Sequence, residues 1–312
     1  MKGRSVTSTP RLLLAVVCIA YGLVSWAEPI ITVPGGLNPG DEYRLVFITK
    51  DQTTATASDI SFYNDFVSTQ AQLAAELVAL GTTWKAIGST ASVSAKMNTE
   101  TDDSPTGLNG VPIYRLDGAI IADNYDDLWD GSIQSPLYVA QDGSVLDTCC
   151  GTWTGTLTTG EIATGNALGD GPLVVDGAPN GSGTNWIQTN PYDSSQPQYL
   201  YAISSILTVP IEPRTVGIDV NPGAERECRN SKPVVIFGES DFDVVEIDVS
   251  SLQYGNEGSI TYTQLCAVDY VNDDPYADLV CRFVPGQGEA VLRGGTSGGT
   301  PFIGSDTICV AK

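Results

Sequence analysis

The sequence predicts a two-part α+β chain. An N-terminal domain of mixed helix and strand covers residues 28–208, a linker follows at 209–214, and an all-β, immunoglobulin-like sandwich fills 215–312. Three observations predict it. A segment with helical spacing, residues 58–81, lies among β-rich runs. Beyond residue 214, short β-rich runs recur with Gly, Asn, Asp and Pro between them, and no helical period competes. Between the two regions, Thr208 to Arg214 carries Pro210 and Pro213, which favour extended backbone.

Residues 1–27 read as a secretory leader. Lys2, Arg4 and Arg11 form a positive head, Leu12 to Val24 an apolar stretch, and Ser25-Trp26-Ala27 places small residues at a cleavage site. The apolar stretch falls short of the about 20 residues that span a bilayer. Val17 before Cys18 does not suit a lipoprotein anchor. Cleavage near Ala27 would release a mature chain starting at Glu28, secreted or periplasmic, with no membrane span left.

The chain has 15 Lys and Arg against 37 Asp and Glu, a net charge of −22. Residues 1–27 hold three of the basic residues and no acidic one, so their loss takes the net charge to −25. Such a surface repels nucleic-acid phosphates and anionic lipids and favours cations and solubility. Histidine is absent. That removes Ser-His-Asp and Cys-His nucleophiles and His-ligated zinc. Gly-Lys-Ser/Thr phosphate loops, Ser-x-x-Lys and Cys-x-x-Cys are missing as well. No enzymatic activity is expected.

In the first domain, Glu42 to Thr49 is rich in β-formers and reads as a buried strand. Ser58 is the expected cap of a helix with Asp59 in its first turn. Ile60, Tyr63, Phe66 and Val67 mark its apolar face, and Leu73, Leu77 and Leu80 continue the spacing to a stop at Gly81. One helix or two joined near Ser68-Thr69 would fit. Residues 89–110 read as a polar surface excursion and 151–184 as loop. Tyr199 to Val209 is strand-like and positioned to pair with the first strand.

In the second domain, strands are expected at residues 216–220, 234–238, 244–249, 260–268, 279–283, 290–293 and 307–310, and a hairpin-type loop at 294–299. Cys228, Cys266, Cys281 and Cys309 all lie here. An even count in an exported domain implies two disulfides, with three possible pairings. Cys228–Cys309 with Cys266–Cys281 is favoured, because the latter two fall on apparent neighbouring strands. Cys149 and Cys150 are adjacent, an awkward geometry for a disulfide.

A series of motifs runs from residue 81 to 186: Gly81-Thr82-Thr83-Trp84-Lys85-Ala86, Leu116-Asp117-Gly118, Ala122-Asp123-Asn124-Tyr125-Asp126-Asp127-Leu128-Trp129-Asp130-Gly131, Trp153-Thr154-Gly155 and Asn185-Trp186. Its order resembles that of a bacterial secreted domain of the C-type-lectin-like/endostatin-like superfamily, found in proteins with exosortase (PEP-CTERM) tails. The resemblance covers about residues 41–208 and implies a lectin-like fold. Ile218-Asp219-Val220-Asn221-Pro222-Gly223, Pro233 to Gly238, Phe242-Asp243-Val244 and Asp278-Leu279-Val280 are similar to a β-sandwich module of secreted bacterial and archaeal proteins, over roughly 215–311. That resemblance implies an accessory role.

Two acidic segments are candidate sites. Asn272, Asp274 and Asp278 match the ligand positions of the calcium loop that related modules carry, with Asp269 nearby. Tyr270 replaces its first Asp and Pro275 its turn glycine. Alternating oxygen donors in a tight turn suit a hard cation, and an acidic surface turn is the competing reading. Asp123, Asn124, Asp126, Asp127 and Asp130 form the densest acidic cluster of the first domain. They read as a calcium or polar-ligand surface, or as turn formers around Leu128 and Trp129. Trp84, Trp129, Trp153 and Trp186 read chiefly as core anchors. The expected function is that of an exported, non-catalytic binding or adhesion protein whose partner is a glycan or an extracellular protein, with calcium as the one cofactor to test. A carboxylate-based polysaccharide hydrolase, which needs no histidine, and a structural envelope or matrix component are the alternatives.

Overall fold

The β-rich run near the N-terminus forms β1 (Glu42–Ile48), in which every residue after Glu42 is buried. A strand covered on both faces needs no alternation, which explains its nearly continuous apolar sequence. The computed structural model describes residues 29–102, 110–146, 151–220, 233–255, 261–283 and 290–306. The chain divides into two compact units, residues 1–34 with 44–206, and residues 35–43 with 207–312. Together they make a mixed α+β architecture with several sheets and a few helices.

In the first unit, α1 (Ile60–Ala71) begins one residue later than expected. Asp59, not Ser58, is the cap, its side chain accepting from the Ser61 N–H at 2.9 Å. Tyr63, Val67, Gln70 and Ala71 are its buried stripe. The helix stops at Gln72 and a second short one, α2 (Ala75–Ala79), follows. The break therefore falls at residues 72–74, beyond Ser68-Thr69. Gly81 ends α2 at φ +59°, a conformation that glycine adopts without strain.

Next come β2 (Trp84–Ala86), α3 (Ala95–Thr99), β3 (Ile113–Arg115), β4 (Ile120–Ala122) and α4 (Tyr125–Leu128). They are followed by β5 (Thr152–Trp153), β6 (Leu173–Gly177), β7 (Pro191–Asp193) and β8 (Tyr199–Ser204). The sheet runs β4-β3-β1-β8-β5-β6-β7, and β2 also pairs with β8. As the sequence suggested, β8 pairs with β1, antiparallel and in the register Phe47↔Ala202. One face of these strands, with Val46, Ile48, Tyr201 and Ile203, meets Ile113, Leu128, Trp129 and Trp186 in a core. α1 packs against β2 and β8.

Residues 89–102 are not a surface excursion. Ser89, Thr90, Ala95, Thr99 and Thr101 are buried. Their polarity misleads because the hydroxyls of Ser89, Thr99 and Thr101 are spent internally. Ser89 Oγ accepts from the Ala95 N–H at 2.8 Å, and Thr99 Oγ1 donates to Ala95 O at 2.7 Å. The stretch 151–184 likewise holds two strands and the fully buried Trp153.

The second unit opens with β9 (Leu207–Thr208), which pairs with Tyr43 and Glu42. Then follow β10 (Arg214–Thr215), β11 (Ile218–Asp219), β12 (Pro233–Ile236), β13 (Gln253–Tyr254), β14 (Thr261–Asp269), β15 (Asp278–Phe283), β16 (Ala290–Gly295) and β17 (Pro301–Asp306). Their order is β10-β17-β16-β13-β14-β15-β12-β11. β14 joins the two halves: Thr261 and Tyr262 pair with β13, and Thr263 and Leu265–Asp269 with β15, across a register shift between Thr263 and Leu265. Ile218, Val234, Ile236, Leu252, Leu279, Phe283, Leu292 and Phe302 belong to its core.

One expectation fails here. Residues 244–249 form no strand. Val244–Glu246 and Val249–Ser251 are 3-10 turns, each opened by an aspartate whose side chain accepts from the N–H two residues on. Such local bonds compete with a sheet ladder. The three-residue period buries Val244 and Ile247 and leaves Val245 exposed. The strand at 301–306 was not foreseen, whereas the one expected at 307–310 lies outside the described residues. Cys266 and Cys281 face each other on β14 and β15 and are disulfide-bonded, with Cα atoms 4.1 Å apart. Cys228, Cys309, Cys149, Cys150 and the leader also lie outside the described residues.

Candidate functional site

The end of α1, Leu77 and Val78 of α2 and the turn into β2 line an open cleft of about 340 Å³. Its apolar walls are Ala71, Leu77, Val78 and Trp84. Ser68, Gln72, Thr82 and Thr83 supply its polar groups. None of the eight is ionisable, in a chain whose net charge is −22. The break between α1 and α2 creates the space, because Gln72 is the last helical turn's cap and the chain then swings away before α2 packs Leu77 inward. Trp84 is held from behind by Phe47, edge to face with ring centroids 4.9 Å apart.

The polar groups of the cleft divide into two kinds. Ser68 Oγ donates to Trp84 O at 3.1 Å, and the Thr83 and Ser205 hydroxyls bond each other, so these fix the walls. Gln72 is exposed and Thr82 half-buried, and neither side chain has a hydrogen-bond partner among the described residues. An amide and a hydroxyl can each donate and accept. Val78, a wall of the cleft, is 55% exposed, and Leu73, next to Gln72 in sequence, is 66% exposed.

The acidic cluster around α4 is organised by local backbone bonding. Asn124 caps α4, accepting from the Asp127 N–H at 3.0 Å. Asp127 Oδ2 accepts from the Asp123 N–H at 2.7 Å and from Gln134 Nε2 at 2.9 Å. Asp130 Oδ1 accepts from both the N–H and hydroxyl of Ser132. Asp126, like Asp123 and Asp130, is exposed. The cluster thus holds a turn that carries the buried Leu128 and Trp129.

The 272–278 segment behaves similarly. Asp278 is fully buried, and its oxygens accept from the Gly238 N–H at 3.1 Å and the Val271 N–H at 2.8 Å. Asp274 accepts from Asn272 Nδ2 at 2.6 Å and from the Tyr276 N–H at 2.8 Å. Asp278 is therefore a clamp on two loops, whereas Asp274 bonds within its own turn. Among the described residues, no three His, Cys, Asp or Glu side chains converge closely enough to hold a metal ion. Nor is any helix among them long and apolar enough to cross a membrane.

No protein-family model matches this chain, and no curated protein compared with it matches either. The site must accordingly be read from its own chemistry. All four tryptophans of the motif series are at most 6% exposed. Trp129 donates to Thr101 Oγ1 at 2.9 Å and Trp153 to Thr53 O at 3.1 Å, so neither presents a stacking face to solvent. Trp186 lies between Trp129 and Tyr201, with centroids 6.0 Å from each.

Sequence reasoning missed two groups. The cleft's Gln72 and Thr82 carry no motif, although Thr82 sits inside Gly81 to Ala86. Asp176 on β6 is the other. Burial pushes its carboxyl above the usual range, partly offset by hydrogen bonds from Thr189 and Gln198. A side chain at Gly151 would collide with Asp176 and Gln198, so glycine lets the strands close over this carboxylate. Only its neighbours in space, not in sequence, mark it out.

Proposed function

We propose that the chain is an exported, non-catalytic binding protein acting at the cell surface or in the extracellular matrix, with a glycan or protein partner. The uncharged cleft beside Trp84 carries this reading. A concave site lined by apolar groups with a few polar ones is the usual form of a ligand pocket. Of the acidic side chains that sequence alone offered as sites, Asp127, Asp130, Asp274 and Asp278 are engaged in turns and clamps. A lectin-like first domain over 28–208 and an immunoglobulin-like sandwich over 215–312, joined at 209–214, is the architecture we assign to it, on the motif order. A secretory leader at 1–27 would deliver it.

A binding screen of the mature chain on a glycan array and a panel of matrix proteins, with and without calcium, tests the function. Retention of a defined ligand class is expected. Hydrolysis of a polysaccharide, abolished by changing a single carboxylate, would replace this reading with the hydrolase. N-terminal sequencing of exported material should begin near Glu28, and an intact Met1 on exported protein would refute the leader.

A further inference from the structure

We propose that the cleft between α1, α2 and β2 binds a short, neutral saccharide, read by Gln72 and Thr82. This rests on the binding-protein reading and names its ligand class. Three properties of the cleft lead there. Its lining contains no ionisable group, while the chain as a whole has a net charge of −22. An anionic ligand would meet the repulsion of the acidic chain with no local cation to offset it. A cationic one would find no carboxylate in the lining to pair with and would lose its hydration.

The second property is the mixture of surfaces. Val78, more than half exposed, gives an apolar wall suited to the C–H face of a sugar ring, backed by the buried Leu77 and Trp84. Gln72 and Thr82 bring a carboxamide and a hydroxyl that both donate and accept, as sugar hydroxyls do. A purely aliphatic guest would leave these groups unmatched on being covered, and their desolvation would go uncompensated. The third property is size. At about 340 Å³ the cleft sits at the low end of the roughly 300–1,000 Å³ typical of ligand sites, which suits a short saccharide better than a bulky cofactor. Its walls are also fixed before binding, through Ser68 on Trp84 O, Thr83 on Ser205 and Phe47 behind the indole. Preformed walls reduce the ordering cost of binding.

The test uses saturation-transfer NMR on the mature full-length chain. The probes are maltose, cellobiose, lactose and N,N′-diacetylchitobiose, with galacturonate and glucosamine as charged controls and N-acetyl-leucinamide as a neutral side-chain mimic. At least one neutral disaccharide should receive transfer and the charged sugars should not. Gln72→Ala and Thr82→Val should each weaken its affinity about three- to tenfold, the range for losing one hydrogen bond. Both positions are at the surface, so unchanged melting temperatures will show that the fold survives. Glu76→Gln, outside the lining, should leave the affinity unchanged. Transfer that neither substitution alters places the sugar elsewhere and overturns the cleft while sparing the binding function. Seating of N-acetyl-leucinamide but no sugar overturns the ligand class and assigns the cleft to a protein side chain. Equal transfer to galacturonate overturns the argument from neutrality. Silence from every probe overturns the proposal, and the array then judges the wider reading independently.

Discussion

Asp176 and Asp278 show how far apart two carboxylates of one chain can be in what they do. Asp278 accepts from the buried Gly238 N–H and from the Val271 N–H, which is only partly buried. Asp278→Ala removes this acceptor from both, and a stability loss of about 1–3 kcal/mol is expected, the cost of the one buried donor left orphaned at Gly238. Asp274→Ala, at a more open position, should cost much less, and urea melts of the two variants compare them directly. Asp176 is instead held with its acidity weakened by burial. Its folded pKa lies above its unfolded one. Between those values the folded state binds more protons, so this group's contribution to stability falls as pH rises through the window. The window opens at the ordinary Asp value of about 3.9 and extends upward. Asp176→Asn has no such titration. The stability difference between the variant and the parent should therefore move in the variant's favour as pH rises from about 4. A constant difference over that range would mean that Asp176 is not desolvated.

At the scale of elements, the disulfide offers the sharpest test. Cys266 and Cys281 are register partners separated by 15 residues in sequence. Closing a loop of that length is worth about 3 kcal/mol in the chain-entropy model. Replacing both with Ser should lower the unfolding midpoint of the second unit by a corresponding amount and leave the first unit unchanged. This pairing was legible in the sequence, because β14 and β15 are long β-rich runs with a turn between them. β1, α1 and β8 were legible for the same reason: their apolar residues exceed what any other local structure could bury. What was not legible shares one physical cause. Short polar side chains decide the local backbone at Asp59, Asp243 and Asp248, and composition does not say which N–H each will accept from. Buried hydroxyls at Ser89 and Thr99 hid an internal segment behind a polar sequence. The cleft was invisible for a further reason. It exists because a helix breaks at Gln72 and not at Ser68, a difference of one turn that leaves Leu77 and Trp84 lining the same space.

At the scale of the molecule, two compact units make a prediction about cooperativity. Each has its own core cluster, one built on Trp129, Trp186 and β1, the other on Phe302, Leu252 and β15. Separate cores allow separate transitions, since a domain is the usual unit of two-state unfolding. Calorimetry of the mature chain should resolve two transitions. The Cys266–Cys281 bond belongs to one unit only, so reductant should shift one transition downward and leave the other in place. Salt supplies an orthogonal perturbation. With a net charge of −22, self-repulsion weakens the compact state. Raising ionic strength screens exposed charges beyond about 10 Å at 0.1 M, so both transitions should rise together in sodium chloride. Calcium and magnesium at equal ionic strength should act alike, because Asp278 is committed to two N–H groups and Asp274 to its own turn. A single transition that moves as a whole with reductant would show that the units unfold as one body. A rise specific to calcium in the reductant-sensitive transition alone would restore Asn272, Asp274 and Asp278 as ligands, with Asp278 released from its clamp to reach the ion.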